Sequence, residues 1–167
     1  YFIKAENQER GKSEFHGVDG PLSVSDQRIH LPLLDEFQNA AEEFGIPKSK
    51  DFNTGNNYGC GYFQVTQKNG FRCSTSVGYL NPIKHRKNLK IITNAHIKKI
   101  NFENKTAKEV EFWHGDELKK VQANREIILS SGAIGSPQIL QVSGIGNPEK
   151  LKKLGIDLVQ NLNGVGE

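Results

Sequence analysis

A glycine-rich segment that follows a short apolar run constrains the fold of this chain more than any other stretch. Residues 130–146 read SSGAIGSPQILQVSGIG and come directly after Glu126–Leu129. The apolar run predicts a short buried strand of a parallel sheet, and Gly132 predicts a turn at its end. We expect Ser136 to cap a helix whose first residue is Pro137, where a missing N–H costs nothing.

A strand, a glycine turn and a capped helix in succession let the backbone approach a large ligand closely. The amino end of such a helix also carries a partial positive charge that suits a phosphate. The sequence contains neither the G-x-G-x-x-G dinucleotide fingerprint nor the G-x-x-x-x-G-K-[ST] phosphate loop. Two interpretations therefore stay open: the glycines face a ligand, or they permit tight packing of a helix against a strand.

The region before this segment predicts a β-meander, which is three antiparallel strands in succession. Apolar residues recur in the three runs 97–102, 109–113 and 119–123, with turn-forming residues at 103–105 and 114–116 between them. Further short strands are expected at 22–24, 62–66, 89–93 and 156–159, and a tight turn at 68–70.

Two helices are predicted outside the glycine-rich segment. Apolar residues at helical spacing from Leu33 to Phe44 predict an amphipathic helix that ends at Gly45, with its apolar stripe in the core. A second helix is expected to begin at Asn147-Pro148, to carry Leu151 and Leu154, and to end at Gly155.

The composition is that of an ordinary globular protein. The 167 residues are 35% hydrophobic, and 22 basic against 19 acidic residues give a net charge of +3, too small a bias to indicate a nucleic-acid partner. No apolar run approaches the length of a membrane span, and no signal peptide opens the sequence. Because the sequence contains no Met, we expect it to be a piece of a larger protein.

The reactive side chains form no recognisable catalytic or metal-binding pattern. The five histidines are scattered, so we expect them to be surface or packing residues and predict neither a catalytic residue nor a metal site in this chain. Cys60 and Cys73 have no C-x-x-C spacing, and we expect two reduced, partly buried thiols, with a single disulfide bridge as the alternative.

The motifs resemble one known family. Residues 132–146 are similar to the second signature of the glucose–methanol–choline (GMC) oxidoreductases, flavoproteins that oxidise alcohols, and Phe15–Leu22 (FHGVDGPL) resembles the family's F-H-G-x-x-G-P-L segment. The resemblance continues in order through residues 51–53, 64–74, 79–80, 88–89, 125–128, 155–156 and 164–167. Cys73 and Gly135 depart from the commoner residues. Among family members, the spacing most resembles that of bacterial choline and alcohol dehydrogenases.

The resemblance implies a fold class and a domain division. It implies an α/β chain (an α+β fragment) that combines part of a doubly wound FAD-binding domain, including the meander, with part of a substrate domain built on an antiparallel sheet. Residues 1–87 would belong to the substrate domain and residues 88–167 to the FAD domain.

The resemblance also implies a cofactor and the residues that contact it. The cofactor would be FAD, with Ile97 at the position whose backbone holds the adenine ring and Gly132–Ala133 beside the ADP part. Ile97 is out of phase with Ile100 and Phe102 and is expected on the opposite strand face. The alternative for Ile97 is an apolar residue packed against the parallel sheet.

The catalytic histidine and the flavin fingerprint of the family have no counterpart in this sequence. The resemblance therefore implies a part of an enzyme that oxidises choline or another primary alcohol, with a small alcohol and an electron acceptor as partners. We expect the isolated piece to be inactive, to lose FAD and to self-associate, and the protein to be cytoplasmic or peripheral to the inner membrane. An oxidase, a lyase or a non-catalytic binding module with a similar sheet are the alternatives.

Overall fold

Residues 1–90 and 91–167 form two separate units in the computed structural model, which describes all 167 residues. The border lies close to the predicted domain boundary at residues 87 and 88, while the assignment of the units to substrate and FAD domains stays a prediction. No helix in the chain is both long enough and apolar enough to cross a membrane.

The first unit is built from short elements joined by long loops. Strands β1 and β2 pair in parallel, with Glu6 opposite Leu22, and β3 and β4 form a small antiparallel hairpin. The elements of this unit are α1 (Phe2–Ala5), β1 (Glu6–Gln8), β2 (Leu22–Val24), α2 (Pro32–Glu43), β3 (Gln67–Lys68), β4 (Phe71–Arg72) and a π-helix at Ser76–Leu80.

Helix α2 has the predicted extent but not the predicted burial. Proline occupies its first position. Gly45 follows its end with φ of 95°, which is the left-handed backbone conformation that commonly ends an α-helix. The apolar stripe is exposed: Leu33, Phe37 and Phe44 retain 80%, 66% and 86% of their accessible surface. The prediction that this stripe lies in the core is wrong for this chain, because no element of the chain covers it.

The tight turn is confirmed, whereas the strand predicted before it is not. Asn69 and Gly70 join β3 to β4 with φ of 52° and 80°, the two positive values that a type I′ hairpin turn needs. In residues 62–66 only Val65 pairs with another strand-like residue, Ser25, in an isolated antiparallel bridge. Only one residue of the segment is paired, which is too few to form a strand.

The second unit contains the predicted meander. Strands β5 (Ala95–Glu103), β6 (Thr106–His114) and β7 (Glu117–Gln122) form a three-stranded antiparallel sheet in sequence order. The other elements of this unit are α3 (Gly132–Val142), β8 (Ile145–Gly146), α4 (Pro148–Lys153) and β9 (Gln160–Asn161), of which β8 and β9 pair in parallel.

A β-bulge changes the direction of Ile97. Ile97 lies opposite Phe112 and Ile100 lies opposite Val110, with a register shift between Ile97 and Lys99. Since Phe112 and Val110 are two residues apart on β6, they share a face, and so do Ile97 and Ile100. The expectation that Ile97 points away from Ile100 and Phe102 is therefore wrong, because the extra residue in the bulge brings Ile97 onto the same strand face as Ile100.

Three strand predictions fail in the second half of the chain. Residues 126–129 are irregular, and Ile128 is exposed, because no strand of the chain lies beside them to complete a parallel ladder. Residues 89–93 are irregular as well. The strand expected at 156–159 begins later, as β9.

The two helices of the second unit differ in how closely they follow their sequence signals. Helix α4 matches its prediction: Asn147 Oδ1 accepts hydrogen bonds from the amides of Glu149 (3.0 Å) and Lys150 (3.1 Å), and Gly155 follows the helix with φ of 68°. Helix α3 instead begins at Gly132, five residues before the predicted start, so Pro137 lies inside it.

Candidate functional site

A cleft of about 420 Å³ lies between the first half of β5 and helix α3. One wall comes from the strand and from its cross-strand neighbour Trp113, and the other from the helix and the residue before it. The lining residues are Ala95, His96, Ile97, Lys98, Trp113, Ser131, Gly135, Gln138, Ile139 and Val142.

The wall chemistry suits a flat ring with a polar edge. Ile97 is half-buried, and Ile139 and Val142 add apolar surface from the helix, while Gln138 and Ser131 bring hydrogen-bonding groups. Small-molecule sites commonly combine such apolar surface with a few polar groups that fix orientation. We therefore take the cleft as the candidate ligand site.

Strand β5 also has backbone hydrogen-bonding groups along its free edge. It is an edge strand of the meander, so alternate peptide groups along its free side have no strand partner. One of them, the Ile100 N–H, donates to Ser143 Oγ at 2.8 Å. Adjacent N–H and C=O groups on such an edge complement a heteroaromatic ring that carries an amino donor and a ring-nitrogen acceptor.

The structure brings Ile97 close to the segment that contains Gly132 and Ala133 but does not place these two residues in the cleft. Both are exposed in the first turn of α3, directly after the lining residue Ser131. Gly132 has φ of 81°, and a Cβ there would meet no atom within 4 Å, so backbone conformation rather than space favours glycine.

Ser136 does not cap the helix from the position that the sequence predicted. Its Oγ accepts a hydrogen bond from the backbone N–H of Ser131 at 3.0 Å, from within the second turn of α3. The side chain thereby satisfies one amide at the amino end of the helix, which leaves fewer free N–H groups for an anion there.

Sequence reasoning missed most of the cleft. Gln138, Ile139 and Val142 have the i, i+1, i+4 spacing of one helix face, which was a usable signal. No sequence signal pointed to Trp113, because its place in the cleft wall depends on the register between β5 and β6.

A charged cluster covers one face of the meander. The Glu111 carboxylate accepts from Asn101 Nδ2 at 2.9 Å and pairs with Lys120 at 3.0 Å and Lys98 at 3.3 Å. The Asn101 hydrogen bond and then the lysines lower the pKa of Glu111 to about 2, and Glu111, with Glu109, raises the pKa of Lys120. Charges that are paired and hydrogen-bonded to one another in this way indicate a structural cluster.

His16, expected at the surface or in packing contacts, is a buried packing residue with two acidic neighbours. Its Nδ1 lies 3.0 Å from Glu6 Oε2, and its Nε2 lies 3.0 Å from Asp51 Oδ2 without hydrogen-bond geometry. The three residues are far apart in sequence, so no spacing could reveal the contact. No set of His, Cys, Asp or Glu side chains in the chain is arranged to hold a metal ion.

The two cysteines are free thiols, as predicted. Cys73 is buried and Cys60 is half-buried. The Cys73 thiol lies between the Ser23 amide, which donates to Sγ at 3.4 Å, and the Pro21 carbonyl at 3.7 Å. It therefore serves as a packing residue of the first unit.

Comparisons with known proteins agree along the whole chain. Residues 3–166 match the protein family described as GMC oxidoreductase. The chain is 45% identical over 170 residues to the oxygen-dependent choline dehydrogenase of Chromohalobacter salexigens, and 41% identical over 167 residues to the mitochondrial choline dehydrogenase of Homo sapiens. Both alignments cover 100% of this chain, which spans only 30% and 28% of the length of these relatives.

A solved structure matches over nearly the same length of this chain. The chain is similar to an FAD-dependent oxidoreductase from Chaetomium thermophilum, with a TM-score of 0.86 and 28% identity, over 98% of this chain and 31% of that one. The match confirms the predicted fold class, a mixed arrangement of helices and small sheets.

Proposed function

This chain belongs to the GMC oxidoreductase family, and on that premise we propose that it is part of an FAD-dependent enzyme that oxidises the CH–OH group of an alcohol. The observation that carries the proposal is the match of residues 3–166 to this family, together with two relatives named choline dehydrogenase at 45% and 41% identity. Choline or another primary alcohol is the proposed substrate.

The cleft fits the adenine end of FAD. Its volume of about 420 Å³ and the apolar surface of Ile97, Ile139 and Val142 would accept a planar ring, and the free edge of β5 would offer peptide groups to the polar rim of that ring. Ile97 would contact the adenine, and Gly132 and Ala133 would lie beside the ADP part. When bound, FAD supplies the hydride acceptor for the alcohol carbon.

The role of this chain is to bind and to orient, not to transfer protons. The polar groups of the cleft, Gln138 and Ser131, can hold the ring, while Ile97, Ile139 and Val142 exclude water from its face. We place the proton-accepting residue of the reaction outside these 167 residues, as the family resemblance implies.

An assay of the full-length protein tests the proposed activity. Purified full-length protein should contain FAD and should reduce a dye acceptor in the presence of choline or a primary alcohol. Oxygen consumption without a dye would identify an oxidase instead, and cleavage without a change of redox state would identify a lyase. Protein that carries no flavin and turns over no alcohol would contradict the proposal and favour a binding module.

A pair of variants tests the proposed adenine contact. Ile97→Ala removes apolar surface from the cleft wall, and we expect flavin affinity of the full-length protein to fall about three- to tenfold. Leu154→Ala removes a side chain of the same size from an exposed position outside the cleft and is the matched control. Equal affinities in the two variants would contradict a contact between the Ile97 side chain and the adenine.

The remaining partners and the compartment follow from the same premise. We propose an electron acceptor, either oxygen or another oxidant, as the second partner of the full-length enzyme. We also propose a cytoplasmic location, with peripheral attachment to the inner membrane as the alternative that cell fractionation would distinguish.

A further inference from the structure

The Ser143 hydroxyl joins helix α3 to the edge of the meander. Its Oγ accepts from the Ile100 backbone N–H at 2.8 Å and donates to the Ile139 carbonyl at 2.5 Å. Ser143 and Ile100 each retain only 6% of their accessible surface, and Ile139 retains 9%. One small side chain thus satisfies a buried amide of an edge strand and adds a second hydrogen bond to a carbonyl of the last helical turn, which also accepts from the Ser143 backbone N–H at 3.1 Å.

Both hydrogen bonds connect Ser143 to residues in or beside the walls of the cleft. Ile139 lines the helical wall, together with Val142, the residue before Ser143. Ile100 lies on β5 just beyond the bulge that follows Ile97, which lines the other wall. The separation of the two walls at this end therefore depends on the hydroxyl that spans them.

We infer that Ser143 is a positioning residue for the cleft. Its hydroxyl fixes the distance between α3 and β5, holds the bulge in register and so presents Ile97 to the adenine end of the ligand. This inference rests on the function proposed above. Ser143 does not line the cleft, so its effect on a ligand passes through Ile97 and Ile139.

Replacement of the hydroxyl has a defined physical consequence. Ser143→Ala leaves the Ile100 N–H buried without an acceptor, and a water molecule or a shift of the strand must replace the lost bond. Ser143→Thr keeps an oxygen at the same place. A residue that only filled space would tolerate alanine at least as well as threonine.

The experiment uses the full-length protein, stripped of flavin and titrated with FAD. We expect Ser143→Ala to raise the Kd for FAD about five- to tenfold, and Ser143→Thr to remain within about threefold of the parent. Leu151→Ala is the control, since Leu151 is buried in the same unit but does not line the cleft. We expect this variant to lose thermal stability while its Kd stays within about twofold of the parent.

Amide hydrogen exchange gives a readout that needs no variant and no turnover. Addition of FAD to the unsubstituted protein should slow exchange of the Ile100 amide, because the ligand holds the two walls together. The inference is overturned if FAD binds without changing Ile100 exchange, if alanine and threonine at position 143 have the same Kd, or if Leu151→Ala raises the Kd as much as Ser143→Ala. Unsubstituted protein that does not bind FAD would overturn the proposed function and this inference with it.

Discussion

Glu111 shows how its neighbours keep a single side chain charged. Three donors on the same sheet face, Asn101, Lys120 and Lys98, hold its pKa near 2, well below the usual value of 4.5 for glutamate. The folded-state pKa is thus lower than the unfolded-state value. The carboxylate therefore contributes stability above about pH 4.5, and this contribution is lost as the pH falls toward 2.

We expect the second unit to lose stability between about pH 4.5 and pH 2, and Glu111→Gln to weaken this dependence, because the amide cannot titrate. Urea unfolding midpoints across this pH range measure the effect. Glu103→Gln is the matched control, since Glu103 is an exposed glutamate of the neighbouring strand β5 with no ion pair. The same acid slope in Glu111→Gln and in the parent would contradict the assignment.

Gly144 and Gly155 allow the stability cost of an unfavourable backbone conformation to be measured separately from the cost of steric crowding. Both have positive φ, 88° and 68°, but a Cβ at Gly144 would lie 2.4 Å from the Asp157 carbonyl oxygen, whereas Gly155 has open space. We expect Gly155→Ala to cost about 1–2 kcal/mol from conformation alone. We expect Gly144→Ala to cost about 3 kcal/mol or more, because backbone must also move. Chemical denaturation of both variants measures the difference, and equal costs would show that the close approach is not maintained in solution.

At the scale of elements, the sequence predicted structure wherever the signal is local. Helix α4 has its Asn147 cap and its terminal Gly155 within the helix signal itself, and the β3–β4 turn needs only Asn69 and Gly70. The meander followed from alternating apolar residues and short turns. In each case the residues that specify the element also form it.

The sequence failed where an element depends on a partner. Residues 126–129 have the apolar composition of a parallel strand, but a parallel strand requires a neighbouring strand to pair with, and the chain contains none there. The bulge beside Ile97 had no local signal either, because it is a property of the pairing with β6. Ile97, which the family resemblance implied as an adenine contact, lines the cleft, whereas Ser143 and Trp113 could be found only from the packing of α3 and the strand register.

Helix α4 offers a test of which leucine holds the second unit together. Leu151 retains 1% of its accessible surface and Leu154 retains 69%, although both were predicted as apolar positions of this helix. We expect Leu151→Ala to reduce the free energy of unfolding by about 2–5 kcal/mol through the lost apolar contacts and the cavity left behind. Leu154→Ala should change it by less than about 0.5 kcal/mol. Thermal or urea unfolding measures both, and similar losses would place the core elsewhere.

At the scale of the whole molecule, the exposed stripe of α2 predicts association in solution. Leu33, Phe37 and Phe44 present uncovered apolar surface on one helix, and such surface favours contact with another copy. We expect the isolated 167-residue chain to bind a hydrophobic dye and to show a mass above that of a monomer in light scattering.

A charge placed in the stripe should reverse this behaviour. Phe37→Glu is expected to reduce dye binding and association, whereas Gln38→Glu adds the same charge at the next position of the helix and should leave both nearly unchanged. A monomeric, dye-silent parent chain would contradict the prediction.

The isolated chain should not retain FAD. It contains no G-x-G-x-x-G turn, so the amides that anchor the pyrophosphate of a dinucleotide are missing. Two or three hydrogen bonds near Ile97, each worth about 1 kcal/mol, cannot offset an association cost of several kcal/mol or more. We expect a colourless preparation. Stoichiometric flavin absorbance in the purified chain would refute this and would show that the site is more local than proposed.

The two edges of the meander differ in how they resist growth of the sheet. On the β5 side, Ser143 of the segment after α3 already occupies the Ile100 amide, so an incoming strand would have to displace it. On the β7 side the strand is exposed throughout, but it carries the charged side chains Glu117, Lys119 and Lys120, which are held in ion pairs. A second copy would meet charged side chains at one edge and an occupied hydrogen-bond donor at the other. Association through α2 should therefore give soluble oligomers that do not convert to cross-β fibrils.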